Sequence, residues 1–319
     1  MLTTHSIFEQ MNELGAEKVP FFFMIDFLKE HGEVIPLANL PEDIQFSMHA
    51  EKQEFANKNF SFDKYPISLE EYQKQFKIVH NHLKFGNSYL TNLTCATPIT
   101  TNLSLEEIYK FTKAKYKLNY KNQFVCFSPE IFVKIKEGKI SSYPMKGTID
   151  ASIPNAKQII LNDVKEAAEH ATIVDLIRND LSLISNNVTV KNYRFIDELI
   201  TNDKTLLQVS SEIEGDLNDD YLSQIGTIFD QLLPAGSICG APKKKTVEII
   251  LEAENYNRNF YTGVFGVFDG SNVDSAVMIR FIEKDKDQLI FKSGGGITAK
   301  SECESEYNEM IQKVYVPIY

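Results

Sequence analysis

Lys146 sits in Tyr143-Pro144-Met145-Lys146-Gly147-Thr148, a lysine confined between a proline and a glycine. Pro144 fixes its own φ and biases Tyr143 toward extended geometry, and Gly147 lets the following backbone pass close to another segment. A lysine tethered in this way is poorly placed to wander over a surface. The plainer reading is a solvated lysine at a strand end. Three carboxylates could add a cation site. Glu169 precedes the apolar run Ile173-Val174-Asp175-Leu176, and Glu306 and Glu309 lie three apart on one face of a last helix. Carboxylates from two helices facing one cleft would suit Mg²⁺, which takes few carboxylates plus water and substrate. A solvated acidic face is the alternative.

Further groups fit an anionic substrate. Glu130 follows Ser128-Pro129 and precedes Ile131 and Phe132; a dry cleft would raise its pKa and make it a general acid, whereas an exposed turn would leave it ordinary. Arg280, in Val277-Met278-Ile279-Arg280-Phe281, reads as a charge inside an apolar strand and needs a partner, either a substrate carboxylate or an internal Asp or Glu. Gly294-Gly295-Gly296 leads into the last helix and could present consecutive N–H groups to an anion, or simply form a bend. Gly236–Lys243 looks like a phosphate loop but lacks the GxxxxGK[ST] spacing, so nucleotide binding is not expected.

The elements that must position these groups alternate without a regular βαβ order, which indicates an α+β fold. Residues 1–65 read as a short N-terminal lobe holding one helix and the apolar strand Phe21–Leu28, followed by a polar stretch through 51–63. Ser68-Leu69-Glu70-Glu71 and Ser104-Leu105-Glu106-Glu107 start two helices, the first ended by Gly86. Strands are expected at Ser88–Thr94, Phe124–Ser128, Ile131–Ile135 and Lys139–Tyr143, with Glu137-Gly138 as a turn, so that Lys146 falls just past a hairpin strand. Residues 155–181 read as one long helix, 220–233 as another, and Pro242 as the N1 residue of a third. Strands around Val188–Tyr193 and Leu206–Ile213, and a meander from Tyr261 to Lys292, complete the pattern.

Composition narrows the class. With 319 residues, 43% hydrophobic content and a net charge of −11, the chain is globular and lacks the basic clusters that nucleic-acid or anionic-membrane partners require. Cys95, Cys126, Cys239 and Cys303 show no CxxC spacing, which favours reduced thiols. The N-terminus lacks a secretory pattern and Phe21–Leu28 is too short for a bilayer, so a soluble, cytoplasmic protein is expected.

Taken in order, Ser128-Pro129-Glu130, Pro144–Thr148, Glu169 with Ile173–Asp180, Gly236–Lys243, Ala276 with Ile279-Arg280, Gly294–Ile297 and Glu306-Tyr307 with Glu309 resemble the chorismate-utilising enzymes over roughly residues 68–319. That family includes anthranilate, isochorismate, salicylate and aminodeoxychorismate synthases. The resemblance implies their α+β fold, with two orthogonally packed mixed β-sheets flanked by helices, and a chorismate-binding catalytic domain at 66–319. Within the family the lysine of P-M-K-G-T is most similar to aminodeoxychorismate synthase component I, since anthranilate synthases carry a small residue there. Asn92 falls where isochorismate and salicylate enzymes place a water-activating lysine.

The resemblance further implies Mg²⁺ held by Glu169 and Glu309 with Glu306 close by. Arg280, Tyr261, Lys313 and the Gly294, Gly295 and Gly296 amides would clamp the substrate's anionic groups, with Thr148 and Asn92 also in the substrate pocket. Glu130 would protonate the departing 4-hydroxyl, Lys146 would attack C2, and ammonia would then attack C4 to give 4-amino-4-deoxychorismate. No cysteine sits in a glutaminase motif, so a separate glutamine amidotransferase subunit is the implied ammonia source. The chain departs from the family in having Ile149-Asp150 where arginine follows, Leu207 where histidine is common, and Cys239 in place of threonine.

Overall fold

The five residues of the strand Phe21–Ile25 are all buried, and they are buried in two directions. Side chains alternate across a strand, so Phe21, Phe23 and Ile25 face one cluster, with Ile7, Met11 and Phe229, and Phe22 and Met24 face another, with Tyr116, Leu118 and Phe124. The first cluster lies under helices and the second lies between two sheets. A strand covered on both faces has no polar side to show, which explains the unbroken apolar run. The described residues are 2–49, 60–200 and 205–318 of this computed structural model, so part of the polar stretch 51–63 (residues 51–59) lies outside them.

The first sheet has ten strands in the order Leu2–Thr3, His31–Pro36, Phe21–Ile25, Val264–Phe268, Val273–Val277, Ile131–Lys136, Lys139–Ser142, Thr205–Asp216 and Met145–Asp150, with Asn186–Ile200 also paired to Thr205–Asp216. The second has eight: Gly240–Ala241, Leu90–Thr101, Gln288–Ile297, Phe281–Asp285, Phe124–Ser128, Tyr116–Tyr120 and Ile44–Ser47, with Phe62–Lys64 beside Leu90–Thr101. All these pairings are antiparallel, where mixed sheets were expected. Helices Thr4–Ala16, Val164–Ser182 and Ile225–Leu232 pack on the outer face of the first sheet. Leu69–Lys84, Lys243–Ala253 and Cys303–Gln312 pack on the outer face of the second. The N-terminal segment enters this scheme as strands of both sheets.

Caps explain several boundaries. Ser68 accepts from the Glu71 amide, and Ser104 with Glu107 closes a full capping box. The long helix expected over 155–181 is two helices, Ala156–Asn162 and Val164–Ser182. Asp163 leaves helical geometry at ψ 112° and its carboxylate caps the second helix through the Glu166 amide, so an acid mid-pattern acts as a terminus. The helix expected over 220–233 divides likewise into a 3₁₀ turn, Tyr221–Gln224, and Ile225–Leu232. Pro242 caps Lys243–Ala253 from outside the helix instead of occupying its first turn.

Among the passages between the sheets, two join strand to strand within three residues. Pro129-Glu130 joins Phe124–Ser128 of the second sheet to Ile131–Lys136 of the first, and Met278–Arg280 makes the reverse passage from Val273–Val277 to Phe281–Asp285. The crossings are bonded to each other's strands: Phe127 N–H donates to the Arg280 carbonyl and Val277 N–H to that of Glu130. Arg280 therefore lies in a crossing and not inside a strand, with a left-handed φ of 52°. This seam between the sheets is where the candidate site forms.

Candidate active site

Lys146 belongs to a short strand of its own, Met145–Asp150, where a position just past a hairpin strand was expected. Its register against Thr205–Asp216 slips between Lys146, opposite Val209, and Thr148, opposite Gln208. Gly147 is the extra residue, at φ +77°, a conformation that side chains rarely adopt. The bulge has a directional consequence. Residues two apart normally face the same way, but here Lys146 lines one cleft while Thr148 lines a separate groove with Gln208. The expected grouping of Thr148 with Lys146 is not what the backbone produces.

Lys146 enters a cleft of about 170 Å³ together with Asn92, Glu130, Tyr261, Arg280, Gly294, Gly295, Gly296, Glu309 and Lys313. Its Nζ stands 2.8 Å from Oε2 of Glu169 on the long helix. Burial pulls the Lys146 pKa down, but the charge and hydrogen bond of Glu169, with Glu166 and Glu309 further off, outweigh it and leave the pKa raised. This arrangement favours the ammonium form of Lys146. Glu166 was not expected here; a Cβ placed on Gly147 would lie 3.2 Å from its Oε2.

The glycine run is strand and not a helix entry. Gly294, Gly295 and Gly296 end Gln288–Ile297 opposite Thr94, Leu93 and Asn92. The other neighbour, Phe281–Asp285, stops pairing at Lys292, so this end has an open edge. Lys313 Nζ donates to the Gly294 carbonyl at 2.9 Å across that edge. In an antiparallel strand alternate residues share a direction, which turns the amides of Gly294 and Gly296 outward and that of Gly295 toward Leu93. Two amides, not three, face the cleft.

The last helix brings the acids to the same edge. A Cβ on Gly295 would meet Glu309 Oε1 at 3.4 Å and Glu306 Oε2 at 3.6 Å, so both carboxylates converge on a position that glycine leaves empty. Burial raises the pKa of Glu306, with the Glu309 charge adding to it against a Ser301 hydrogen bond. For Glu309 burial also pushes upward, but Lys313, 2.7 Å away, prevails and the pKa is lowered. Among the described residues no three His, Cys, Asp or Glu side chains stand close enough to hold one ion; Glu169 pairs with Lys146 and Glu309 with Lys313. The donor set is nonetheless all oxygen, the chemistry that suits Mg²⁺.

Glu130 faces the cleft from its crossing. Burial raises its pKa; the Ser237 hydroxyl, which donates to Oε1 at 2.6 Å, and the Lys313 charge offset only part of that. Ser237 comes from the one-turn helix Gly236–Cys239, so the segment that imitates a phosphate loop supplies a hydrogen bond to Glu130. Lys243 of the same motif donates to the Leu232 carbonyl at 2.6 Å and pairs with Asp180 at 2.8 Å, fastening the motif to the long helix. A Cβ on Gly236 would crowd Asp180 Oδ2 at 2.8 Å. Arg280 donates to the Lys313 carbonyl at 2.9 Å and lies 4.9 Å from the Tyr315 ring centre. Among the described residues no carboxylate pairs with Arg280, which leaves its charge for a ligand.

Two supports were not foreseen. Arg258 and Glu254 form a buried pair at 2.6 Å; Arg258 also donates to the Asn92 carbonyl, and Glu254 accepts from the Thr94 amide and hydroxyl. This pair fixes the strand bearing Asn92, whose Oδ1 is buried without a protein partner. On the long helix, His170 Nε2 lies 2.7 Å from Ser211 Oγ, and the Ser211 amide donates to the Pro144 carbonyl. Burial, with the charges of Arg194 and Lys146, lowers the His170 pKa to about 4, so it is neutral. His170 thus links the helix of Glu169 to the strand of Lys146.

Comparison with known proteins identifies the family. An uncharacterized PabA-like protein of Pasteurella multocida is 49% identical over 99% of this chain and 100% of its own length. Anthranilate synthase component 1 of Aeropyrum pernix is 35% identical over 59% of this chain and 43% of its own. Aminodeoxychorismate synthase component 1 of Bacillus subtilis is 29% identical over 78% and 55%. A crystal structure titled as a 2,3-dihydroxybenzoate-specific isochorismate synthase from Bacillus anthracis shares the fold with a TM-score of 0.72 at 20% identity, covering 96% of this chain and 87% of that one. The family model described as chorismate binding enzyme matches residues 29–318, and the chain belongs to that family.

Proposed function

We propose that this protein is component I of an aminodeoxychorismate synthase, converting chorismate and ammonia to 4-amino-4-deoxychorismate. The observation that carries the reading is Lys146, aimed by the Gly147 bulge into the cleft that also holds Glu130, Arg280 and Lys313. Arg280, Lys313, Tyr261 and the outward amides of Gly294 and Gly296 bind the anionic groups of the substrate. Glu169, Glu309 and Glu306 would hold Mg²⁺, which would supply positive charge beside the ring carboxylate.

Lys146, having released a proton to solvent, attacks C2 through its neutral amine; the ring double bonds shift, the C4–O bond breaks, and Glu130 delivers its proton to the departing hydroxyl. Ammonia then attacks C4 and the lysine nitrogen leaves from C2 as the free amine. A raised Glu130 pKa supports the acid role, because the group keeps its proton nearer neutral pH. Ammonia comes from a glutamine amidotransferase subunit in this reading, and co-elution with such a subunit plus glutamine-dependent turnover would test that part.

The adduct gives the direct test of mechanism. Incubation with chorismate and Mg²⁺ without ammonia should add the mass of chorismate less one water to a peptide containing Lys146. Unmodified protein after chorismate is consumed would defeat the covalent step. Anthranilate formation is the competing reading, favoured by the higher local identity to the Aeropyrum enzyme; Lys146 itself opposes it.

A further inference from the structure

Behind the seam lies a second groove of about 770 Å³, larger than the Lys146 cleft and meeting it only at Met145 and Arg280. Its first wall holds Thr148, which the Gly147 bulge turns away from Lys146, beside Gln208 and Ser210 of the partner strand. On that wall Ser210 is 1% exposed and its Oγ has no partner; Gln208 Oε1 is also buried without one. Asp197 adds an acceptor beside them. Buried polar atoms left unpaired cost free energy, so their presence on a groove wall points to a ligand that completes them.

The opposite wall is cationic. Lys115 and Arg280 stand there with Phe127 and Tyr315 between apolar surfaces. No carboxylate among the described residues pairs with Lys115, whose Nζ lies 5.3 Å from the Tyr116 ring centre. Partial desolvation and the neighbouring Lys134 lower its pKa against the charges of Asp274 and Asp197, and Lys134 is itself paired with Asp274 at 3.0 Å. A groove with apolar sides, acceptors on one wall and cations on the other selects an amphipathic molecule with matching ends.

We propose that this groove binds a small planar carboxylate carrying a hydrogen-bond donor away from its carboxylate, at a site separate from the Lys146 cleft. The carboxylate meets Lys115, and the donor meets Gln208, Ser210 or Asp197. The inference requires no catalysis and stands apart from the proposed reaction.

Calorimetry with 4-aminobenzoate and benzoate tests it, on wild type, Lys115→Gln, Ser210→Ala and Lys146→Ala. Saturable binding of 4-aminobenzoate is expected, several-fold tighter than benzoate, weakened about tenfold by Lys115→Gln and unchanged by Lys146→Ala. Ser210→Ala should narrow the difference between the two probes. Lys115 is exposed, so its variant should fold, and circular dichroism confirms that. Absence of saturable binding overturns the proposal, as does binding that survives Lys115→Gln but is lost in Lys146→Ala, which would place the probe in the catalytic cleft.

Discussion

Ser237→Ala tests the local electrostatics most sharply, because one hydrogen bond is removed from one carboxylate. The Ser237 hydroxyl donates to Glu130 Oε1 at 2.6 Å and favours the ionised form. Hydrogen bonds to charged groups contribute about 1.5–3 kcal/mol, and the lower end applies to a half-buried acid at a cleft. At about 1.4 kcal/mol per pKa unit, the Glu130 pKa should rise by about one unit. Glu130 works in its protonated form, so activity falls as pH rises through its pKa; the alkaline limb of chorismate turnover should move up by about one unit.

Stability provides an independent check. The Glu130 pKa in the fold already lies above its unfolded value of 4.5, so its contribution is complete below that pH and is lost as pH rises through the folded pKa. Removing Ser237 enlarges that loss. Urea unfolding should show wild type and variant alike near pH 4 and the variant less stable by about 1.5 kcal/mol at pH 8. An unmoved limb, or a stability loss of equal size at both pH values, would refute the reasoning.

Other outcomes follow from the same geometry. Gly147→Ala places a side chain at φ +77°, which costs about 1–2 kcal/mol; turnover should fall far more than stability as Lys146 is re-aimed, as paired urea and kinetic measurements would show. Lys243→Met leaves Asp180 without its 2.8 Å partner and should destabilise by about 3 kcal/mol, with Asp180→Asn in the same chain recovering part of the loss in urea titrations. His170, held neutral with a pKa of about 4 against 6.5 unfolded, should make stability fall by about 3 kcal/mol as pH drops through that window, and His170→Asn should flatten the fall. Mg²⁺ should raise the thermal midpoint of wild type and not that of Glu309→Gln, which retains the size but not the charge of the proposed ligand.

What the sequence revealed, and what it concealed, has physical causes. Pro144 and Gly147 marked a constrained lysine, yet the bulge that separates Lys146 from Thr148 depends on pairing with Val209 and Gln208, some sixty residues away. Consecutive glycines suggested a bend, because nothing local signals that residues 92–94 will pair with them. Arg280 looked internal to a strand since the apolar residues on both sides of it belong to two different sheets. Asp163 was hidden in a helical period that continues on either side of a break. Ser237 lay in a recognised motif, but its target, Glu130, is over a hundred residues earlier. The buried strand Phe21–Ile25 was legible because double-sided burial leaves its record in every residue.

The central claim is that this cleft uses Lys146 to place ammonia on C4 of chorismate. Purified protein supplied with chorismate, Mg²⁺ and ammonium, with products separated by chromatography, measures it directly. The account predicts 4-amino-4-deoxychorismate from wild type and its loss or sharp reduction in Lys146→Ala. Fluorescent anthranilate as the product, or untouched chorismate, would contradict it.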